Sequence, residues 1–253
     1  LKLPNSQFSF TGNVKNLDEP ENIYFNIAGK NIEIDPKDTR NVVPGLDIPD
    51  YSNAGRIIIP YVTYVGIPEN FSSEVDARTG IGNVMGNVSF DLREDVIKYK
   101  GDVSVTNLNL GKIVHEKDLE SNINGDFIVD ARGFDYATAT GKLDYKLGRT
   151  KFLGQNISRS EGRLNFNRGN VGLDLSYDSE AIRTKAKGKI NISNLKNITY
   201  DVNGTVSGLN IASFTKDNSM LSDLNFDFEL KGSGFDPNVM EGNYKISMNE
   251  STF

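Results

Sequence analysis

The strongest constraint on the fold is a hydrophobic period of two residues that recurs along most of the chain. Every second residue is apolar in "VGLDLSY" (171–177), and "LNFDFEL" (224–230) and "NVSFDL" (87–92) follow the same rule. Strict alternation over short runs is typical of strands with one buried face and one wet face. Clusters of Gly, Asn, Asp and Pro separate the runs, as expected for tight reversals. The pattern predicts an all-β protein built as a long antiparallel meander.

Helical signals are few. The stretch 110–120 predicts one or two helical turns with Ile113 and Val114 facing inward, and 211–221 is its counterpart. A further turn is predicted within 35–44, ending before Pro44, because the residue before a proline disfavours helix. We therefore expect only one or two short helices beside the sheet.

The chain also repeats itself. A shift of 101 residues aligns 105–148 with 206–249, and eleven of the 44 positions are identical. The clearest match is between "INGDFIVDARGFD" (123–135) and "LNFDFELKGSGFD" (224–236). We interpret this as a structural repeat. A repeat with one apolar face must cover that face, either by folding on itself as a sandwich or barrel or by curling into an open trough that holds guests.

Composition excludes several classes of function. With 28 basic and 34 acidic residues the net charge is −6, which disfavours a nucleic-acid partner. The absence of Cys excludes disulfides and thiolate metal sites, and His115 is the only histidine. The sequence predicts no enzyme activity, no metal and no cofactor, although paired carboxylates for glycoside hydrolysis stay open because sequence alone does not identify such pairs.

Three local motifs are interpreted as ordinary structural segments rather than as functional sites. "GIGNVMG" (80–86) lacks the Lys-Ser/Thr ending of a phosphate-binding loop and is interpreted as a turn. "KAKGK" (185–189) is interpreted as a solvated basic stretch of a strand. "RIIIPYVTYVGIP" (56–68) is too short to span a bilayer.

Four stretches carry a family resemblance: "FTGNVKNLDEPENIYFNIAGKNIEI" (10–34), "SVTNLNLGKIV" (104–114), "NINGDFIVDARGFD" (122–135) and "TVSGLNIASF" (205–214). They resemble the TamB and AsmA-like proteins of bacterial envelopes, with the closest likeness to the long TamB-like proteins of the Bacteroidetes group. The likeness covers roughly residues 10 to 250. Its motifs are moderately specific, and each piece is degenerate.

The resemblance implies a fold and a function. Members of the family have an N-terminal inner-membrane anchor and a long periplasmic body, a curled β-sheet or β-taco with an apolar groove. They are implicated in moving phospholipids between the inner and outer membranes, and TamB, with its partner TamA, in assembling outer-membrane proteins. We therefore expect residues 1–253 to be one continuous, interior, periplasmic segment of a longer protein. The anchor and any outer-membrane assembly partner of the barrel type would involve parts outside this segment.

The expected ligand is a phospholipid acyl chain, held by apolar residues that alternate with Asp, Asn and Lys. The predicted groove residues are Phe25, Ile27, Val88, Phe90, Val103, Val105, Phe127, Val129, Leu143, Tyr145, Leu164, Phe166, Leu173, Leu175, Phe226, Phe228 and Leu230. Two alternatives stay open: a scaffold or chaperone for outer-membrane proteins that pairs through its sheet edge, and a closed β-sandwich adhesin or carbohydrate-binding module.

Overall fold

The structure, a computed structural model, describes residues 4–38, 54–234 and 240–253. Contacts between Cα atoms divide the chain into two compact units. The first unit comprises Leu1–Ile128 with Lys151–Gly154, and the second comprises Val129–Thr150 with Gln155–Phe253.

Fifteen strands are found in the described residues. Those of the first unit are β1 (Phe10–Lys15), β2 (Tyr24–Ile34), β3 (Ile57–Ile67), β4 (Asn70–Thr79), β5 (Gly82–Asp91), β6 (Lys98–Leu108) and the first six residues of β7 (Ile123–Arg132). Those of the second unit are the rest of β7, then β8 (Thr140–Leu147), β10 (Gln155–Asn167), β11 (Asn170–Ser179), β12 (Arg183–Asn191), β13 (Thr199–Leu209), β14 (Leu224–Ser233) and β15 (Glu241–Met248). The three-residue β9 (Thr150–Phe152) lies off the main strand order.

Within each unit, strands that follow one another in the chain are neighbours in the sheet, except that β8 pairs with β10 and not with β9. Antiparallel ladders join β1 through β6 in the first unit, and β8, β10 and the strands up to β15 in the second. Among the described residues, the helices are α1 (Leu110–Val114), α2 (Ile211–Thr215) and a helical stretch at 36–38, and short 3₁₀ turns lie at Pro20–Asn22, Lys117–Leu119 and Asn218–Met220. The predicted class is confirmed: an all-β, open antiparallel meander with short helices.

Tight hairpins follow from local backbone chemistry. Arg168 and Gly169 join β10 to β11 with φ values of 47° and 76°. Two successive positive φ values define the two-residue turn whose twist matches that of antiparallel strands, and glycine adopts the second without strain. The turn sets the register that pairs Asn167 with Asn170.

One irregularity keeps apolar side chains together in the first unit. The register of β3 shifts between Ile58 and Tyr61, around Pro60, and Asn31 of β2 has φ 50°. A bulge is where a strand tolerates proline, because the ladder is already interrupted there. The irregularity brings Ile32, which is 2% exposed, against the same side of β2 as Gly29.

The two helices are held by the same hydrogen bonds. Asn109 caps α1 by accepting from the Lys112 amide at 3.1 Å, and Ser121 Oγ accepts from the Leu110 amide at 2.8 Å. In α2, Asn210 accepts from the Ala212 amide at 3.1 Å, and Ser222 Oγ accepts from the Ile211 amide at 2.8 Å. Each helix ends at a left-handed residue, His115 or Lys216. Four of these residues are repeat identities, since Asn109 matches Asn210 and Ser121 matches Ser222.

Matching contacts also occur outside the aligned 44 positions. Thr79 Oγ1 accepts from the Ile81 amide at 3.1 Å and donates to the Gly82 carbonyl at 2.7 Å. Ser179 Oγ accepts from the Ala181 amide and donates to the Ile182 carbonyl, at 3.3 and 3.2 Å. The similarity of the two copies therefore extends upstream of the aligned stretch, to the β4–β5 and β11–β12 turns.

Some local predictions were wrong. Ile113 and Val114 are 39% and 49% exposed, because a five-residue helix turns too few residues toward the sheet to bury both. Only residues 80 and 81 of "GIGNVMG" form a turn, and the rest belong to β5, which ends before Leu92. The turn predicted within 35–44 is present in part, since residues 36–38 are helical and residue 35 precedes them. Residues 39–44 lie outside the described residues, as do Phe235 and Asp236 of the repeat.

The buried core is small for so many strands. Nine hydrophobic residues are buried among those described: Ile32, Ala54, Val105, Ala131, Ile157, Ala181, Tyr200, Val206 and Ala212. Four of them are alanines, so the larger apolar side chains lie mostly at partial exposure on the strand faces.

Candidate functional site

In the first unit, register places apolar side chains on one face of successive strands. Residues directly opposite each other in a ladder share a face. Phe71 lies opposite Phe90, Phe90 opposite Tyr99, and Val84 opposite Val105. We call the resulting set the first apolar face; it comprises Phe25, Ile27, Val62, Tyr64, Phe71, Val75, Val84, Val88, Phe90, Tyr99, Val103, Val105 and Phe127. Phe127 belongs to it because Ser104, on the opposite face, is hydrogen-bonded to Asp126 at 2.5 Å.

Aromatic rings form a continuous row across this face. Ring centroids lie 5.8 Å apart for Phe25 and Tyr64, 4.6 Å for Tyr64 and Phe71, 5.5 Å for Phe71 and Phe90, and 6.4 Å for Phe90 and Tyr99. These separations are in the range of favourable aromatic pairs. The row crosses five strands, which is about 19 Å at about 4.8 Å per strand.

The aromatic row forms an apolar environment, and this environment changes the pKa of two tyrosines within the row. Burial raises the pKa of Tyr64 and of Tyr99 above the ordinary tyrosine value. The Tyr64 hydroxyl donates to the Ile67 carbonyl at 3.1 Å, so its polar end is satisfied at the strand terminus. The rings thus present hydrocarbon along the face and keep a polar atom at its rim.

The second unit builds its face mainly from aliphatic residues. Leu143 lies opposite Leu164, Leu164 opposite Leu173, and Val202 opposite Leu230. We call the set the second apolar face; it comprises Val129, Leu143, Tyr145, Leu147, Leu164, Phe166, Val171, Leu173, Leu175, Tyr177, Ala186, Ile190, Tyr200, Val202, Val206, Phe226, Phe228, Leu230, Tyr244, Ile246 and Met248. Val129 joins it by alternation from Ala131, whose Cβ lies on the same side as Gly141.

Glycine makes room for a ring on this face. Gly204 lies opposite Phe228, and a Cβ added at Gly204 would approach Phe228 Cζ to 2.8 Å and the Lys185 carbonyl oxygen to 2.0 Å. The Phe228 ring therefore covers a position that no side chain can fill. The Tyr200 hydroxyl of β13 lies 3.0 Å from the Tyr244 hydroxyl of β15, and Tyr200 donates to the Gly234 carbonyl at 3.1 Å. The hydrogen bond with Tyr200 raises the pKa of Tyr244 to about 12.

The opposite face of the second unit is charged. Arg163 pairs with Asp144 at 2.6 Å, and Lys187, Lys231 and Lys245 each pair at 3.1 Å with Asp174, Asp201 and Glu229 respectively. All four pairs join residues directly opposite each other in neighbouring strands. In the first unit two of the ion pairs, Arg78 with Asp76 and Arg93 with Asp91, are instead formed within one segment.

All seventeen predicted groove residues lie on these two faces. Phe25, Ile27, Val88, Phe90, Val103, Val105 and Phe127 are on the first, and the other ten are on the second. Only Val105 is fully buried, at 6% exposure, and the other sixteen are partly exposed. The apolar side chains are therefore accessible to a ligand, and their role as a lipid groove stays a prediction.

Sequence reasoning missed several members of the faces. Tyr64, Phe71 and Tyr99 complete the aromatic row, although Phe71 lies in "NFSSEVDA", where serine and aspartate weaken the alternation. Tyr200 and Tyr244 were missed as a pair because their contact joins residues 44 positions apart. The alternation predicts the face of each tyrosine, but only the register identifies its partner.

Comparison with family models, with curated proteins and with solved structures gives no match for this chain. Within residues 4–38, 54–234 and 240–253, no helix has the length and apolar character needed to cross a membrane. The same residues contain no group of three or more His, Cys, Asp or Glu side chains arranged to hold a metal ion.

Proposed function

We propose that this chain is a lipid-binding segment that conducts phospholipids between the inner and outer membranes of a bacterial envelope, as part of a longer protein in the periplasm. The observation that carries the proposal is the pair of apolar faces. On the first and second apolar faces, the ladder partner of each apolar residue is itself apolar or is Gly, Ala, Ser or Thr, and almost all of these side chains keep part of their surface accessible.

The energetics favour acyl chains as the occupant. Each methylene removed from water contributes about 0.8 kcal/mol, so a sixteen-carbon chain that leaves a bilayer and becomes fully wetted meets a barrier on the order of 10 kcal/mol. An uninterrupted row of hydrocarbon side chains lowers that barrier without any catalytic group. The row of aromatic rings is about 19 Å long, so it can contact an acyl chain that lies across five strands.

A sealed sandwich core is less favoured. A second layer packed on either face would bury residues such as Leu164, Leu173 and Phe228, yet all three stay partly exposed. The resemblance to TamB-like proteins supports the envelope location, and this part of the proposal depends on that resemblance.

The scaffold function is a second candidate, and the edge strands favour it. Every residue of β1 and every residue of β15 is exposed. An exposed edge strand offers unpaired backbone groups to an incoming strand, such as that of an unfolded outer-membrane protein. A proline introduced within β15 is expected to block such pairing and to leave phospholipid binding on the faces unchanged.

Native mass spectrometry of the chain expressed in a bacterial periplasm tests the main proposal. We expect phospholipid to co-purify with the protein and to be lost in the variant that combines Phe127→Glu and Phe228→Glu. The reason is that the new carboxylate on each apolar face would have to be desolvated when an acyl chain binds. The matched control combines Ile128→Glu and Asn203→Glu, which add the same charges to the opposite faces, where Ile128 is 55% exposed.

Circular dichroism and urea unfolding of both variants show whether the fold survives. The proposal would be overturned if the unsubstituted chain is folded but carries no lipid. It would also be overturned if both variants retain lipid equally. Lipid lost from the control as well as from the test variant would assign the effect to net charge rather than to the apolar faces, and would also count against it.

A further inference from the structure

The charged face of the second unit contains a cavity of about 510 Å³ formed by four neighbouring strands, β10 to β13. This volume falls in the range of small-molecule sites. The charged side chains of the cavity lie on the side of the sheet opposite the second apolar face, because they alternate along the strands with that face; Tyr177 and Thr184, which belong to the apolar side by alternation, complete the lining. Whatever occupies it is therefore separate from an acyl chain on the apolar side.

One row of the cavity crosses the four strands near their ends. Asp178 lies directly opposite Arg159 on one side and Arg183 on the other, and Arg183 in turn lies opposite Ser207. Asp178 thus lies between Arg159 and Arg183 in the ladders without forming an ion pair with either. The Arg183 guanidinium lies beside Gly208, where an added Cβ would be 3.3 Å from Arg183 Nη2 and 3.8 Å from Asp223 Oδ1.

The second row lies two residues further along each strand. Ser176 is opposite Glu161 and opposite Lys185, and Lys185 is opposite Thr205. Lys185 is therefore flanked on both sides by hydroxyl groups, without a carboxylate directly across from it. Two residues of strand separate it from Arg183, which is roughly 6.6 Å between their Cα atoms.

The charges of the lining are incompletely compensated. Arg159 is paired with Glu161 at 2.9 Å, whereas Arg183 and Lys185 form no ion pair with any described residue. The lining holds three cations and two carboxylates, a net charge of 3 − 2 = +1. The Ser176, Thr205 and Ser207 hydroxyls form no side-chain hydrogen bond within the described residues, so they are available as donors.

We propose that this cavity binds a phosphate monoester. Arg183 presents two parallel N–H groups to phosphate oxygens, Lys185 adds a compact positive charge, and the neighbouring hydroxyls donate to the remaining oxygens. Both a soluble phosphate monoester and the headgroup of phosphatidic acid have this chemistry. The site does not depend on acyl-chain binding, because Arg183, Lys185 and the hydroxyl groups that would hold the phosphate all lie on the charged face.

Calorimetric titration of the whole chain with glycerol 3-phosphate tests the site. We expect saturable binding, and an affinity about tenfold lower in Arg183→Gln and in Lys185→Gln, because each removes a charge-assisted hydrogen bond. Lys142→Gln is the matched control: it removes one exposed positive charge from the charged face at β8, outside the cavity, and is expected to leave the affinity unchanged. Asp178→Asn is expected to strengthen binding, since it removes a negative charge beside the anion.

Flotation with vesicles identifies the source of the phosphate. If the chain floats with vesicles of phosphatidic acid in phosphatidylcholine, but not with phosphatidylcholine alone, and Arg183→Gln abolishes this, the ligand is a lipid headgroup. Binding of glycerol 3-phosphate without such flotation assigns the site to a soluble ester. Two results would overturn the proposal: absence of binding to both probes, and binding that Lys142→Gln weakens as much as Arg183→Gln and Lys185→Gln.

Discussion

The first unit crosses its apolar face with a row of five aromatic rings, whereas the second unit covers most of its face with leucine, valine and isoleucine. The ion pairs differ in part. Four pairs of the second unit join neighbouring strands, although Arg159 and Glu161 pair within β10. In the first unit, Arg78 with Asp76 and Arg93 with Asp91 pair within one segment. The helices α1 and α2, in contrast, are capped by the same residue types at nearly the same distances. The alternation of apolar and polar residues thus determines which face of a strand is apolar, and either aromatic or aliphatic side chains can form that face.

The largest expected effect is at the centre of the aromatic row. Phe71→Ala removes ring contacts to both Tyr64 and Phe90. We expect it to lower the free energy of unfolding by about 2 to 3 kcal/mol, from lost burial and lost ring pairing. Urea unfolding followed by circular dichroism measures the change.

Met85→Ala is the control for Phe71→Ala. Met85 is on the neighbouring strand β5, on the opposite face, and is 59% exposed. Its removal is expected to change stability by at most about 0.5 kcal/mol. An equal effect of the two substitutions would mean that the aromatic row contributes no more than an exposed side chain does.

A smaller effect is expected at the two helix starts, and it should be the same in both units. Ser121→Ala and Ser222→Ala each delete a hydroxyl that accepts from a helix amide at 2.8 Å. Each is expected to cost about 1 kcal/mol, and the double variant about the sum, because the two serines share no partner. Thermal or urea unfolding of the two single variants and the double variant checks this.

Ser213→Ala, at an exposed position within α2, is the control and is expected to be nearly neutral. Costs at Ser121 and Ser222 that differ severalfold would show that the two helices, despite their matching geometry, are not energetically equivalent.

The smallest expected effect on stability at neutral pH comes from tyrosine ionisation. In both units tyrosine pKa values are raised, but the cause differs. The pKa of Tyr244 is raised from 10.0 to about 12 by its hydrogen bond with Tyr200, while burial raises the pKa of Tyr64 and Tyr99. A raised folded-state pKa means that the native state holds its proton more tightly than the unfolded state does. Stability from this pair is therefore present below about pH 10 and is lost as the pH rises toward about 12.

Tyrosinate absorbance during an alkaline titration measures this difference. Tyr200→Phe is expected to lower the pKa of Tyr244 and to leave those of Tyr64 and Tyr99 unchanged. A Tyr244 titration unaffected by Tyr200→Phe would assign its raised pKa to the surroundings rather than to the hydrogen bond.

Much of the fold was predictable because each strand carries its own pattern. "VGLDLSY" and "LNFDFEL" predict both a strand and the face of every residue, and the structure has β11 and β14 there. The capping serines were visible as repeat identities. The exposure of Ile113 and Val114 was not predictable, because burial of a short helix depends on how closely it packs on the sheet.

The sequence by itself determined the all-β class, the apolar face of each strand and the position of the two helices. This is because the alternation of apolar and polar residues and the capping of helices depend on residues close together in the chain. Only the tertiary structure decided which side chains meet: the aromatic row, the Tyr200–Tyr244 contact and the placement of Arg183 and Lys185 in one cavity. Those depend on strand register. Register is set by turns and bulges such as the one at Pro60, and a single-residue slip would move every side chain to the other face.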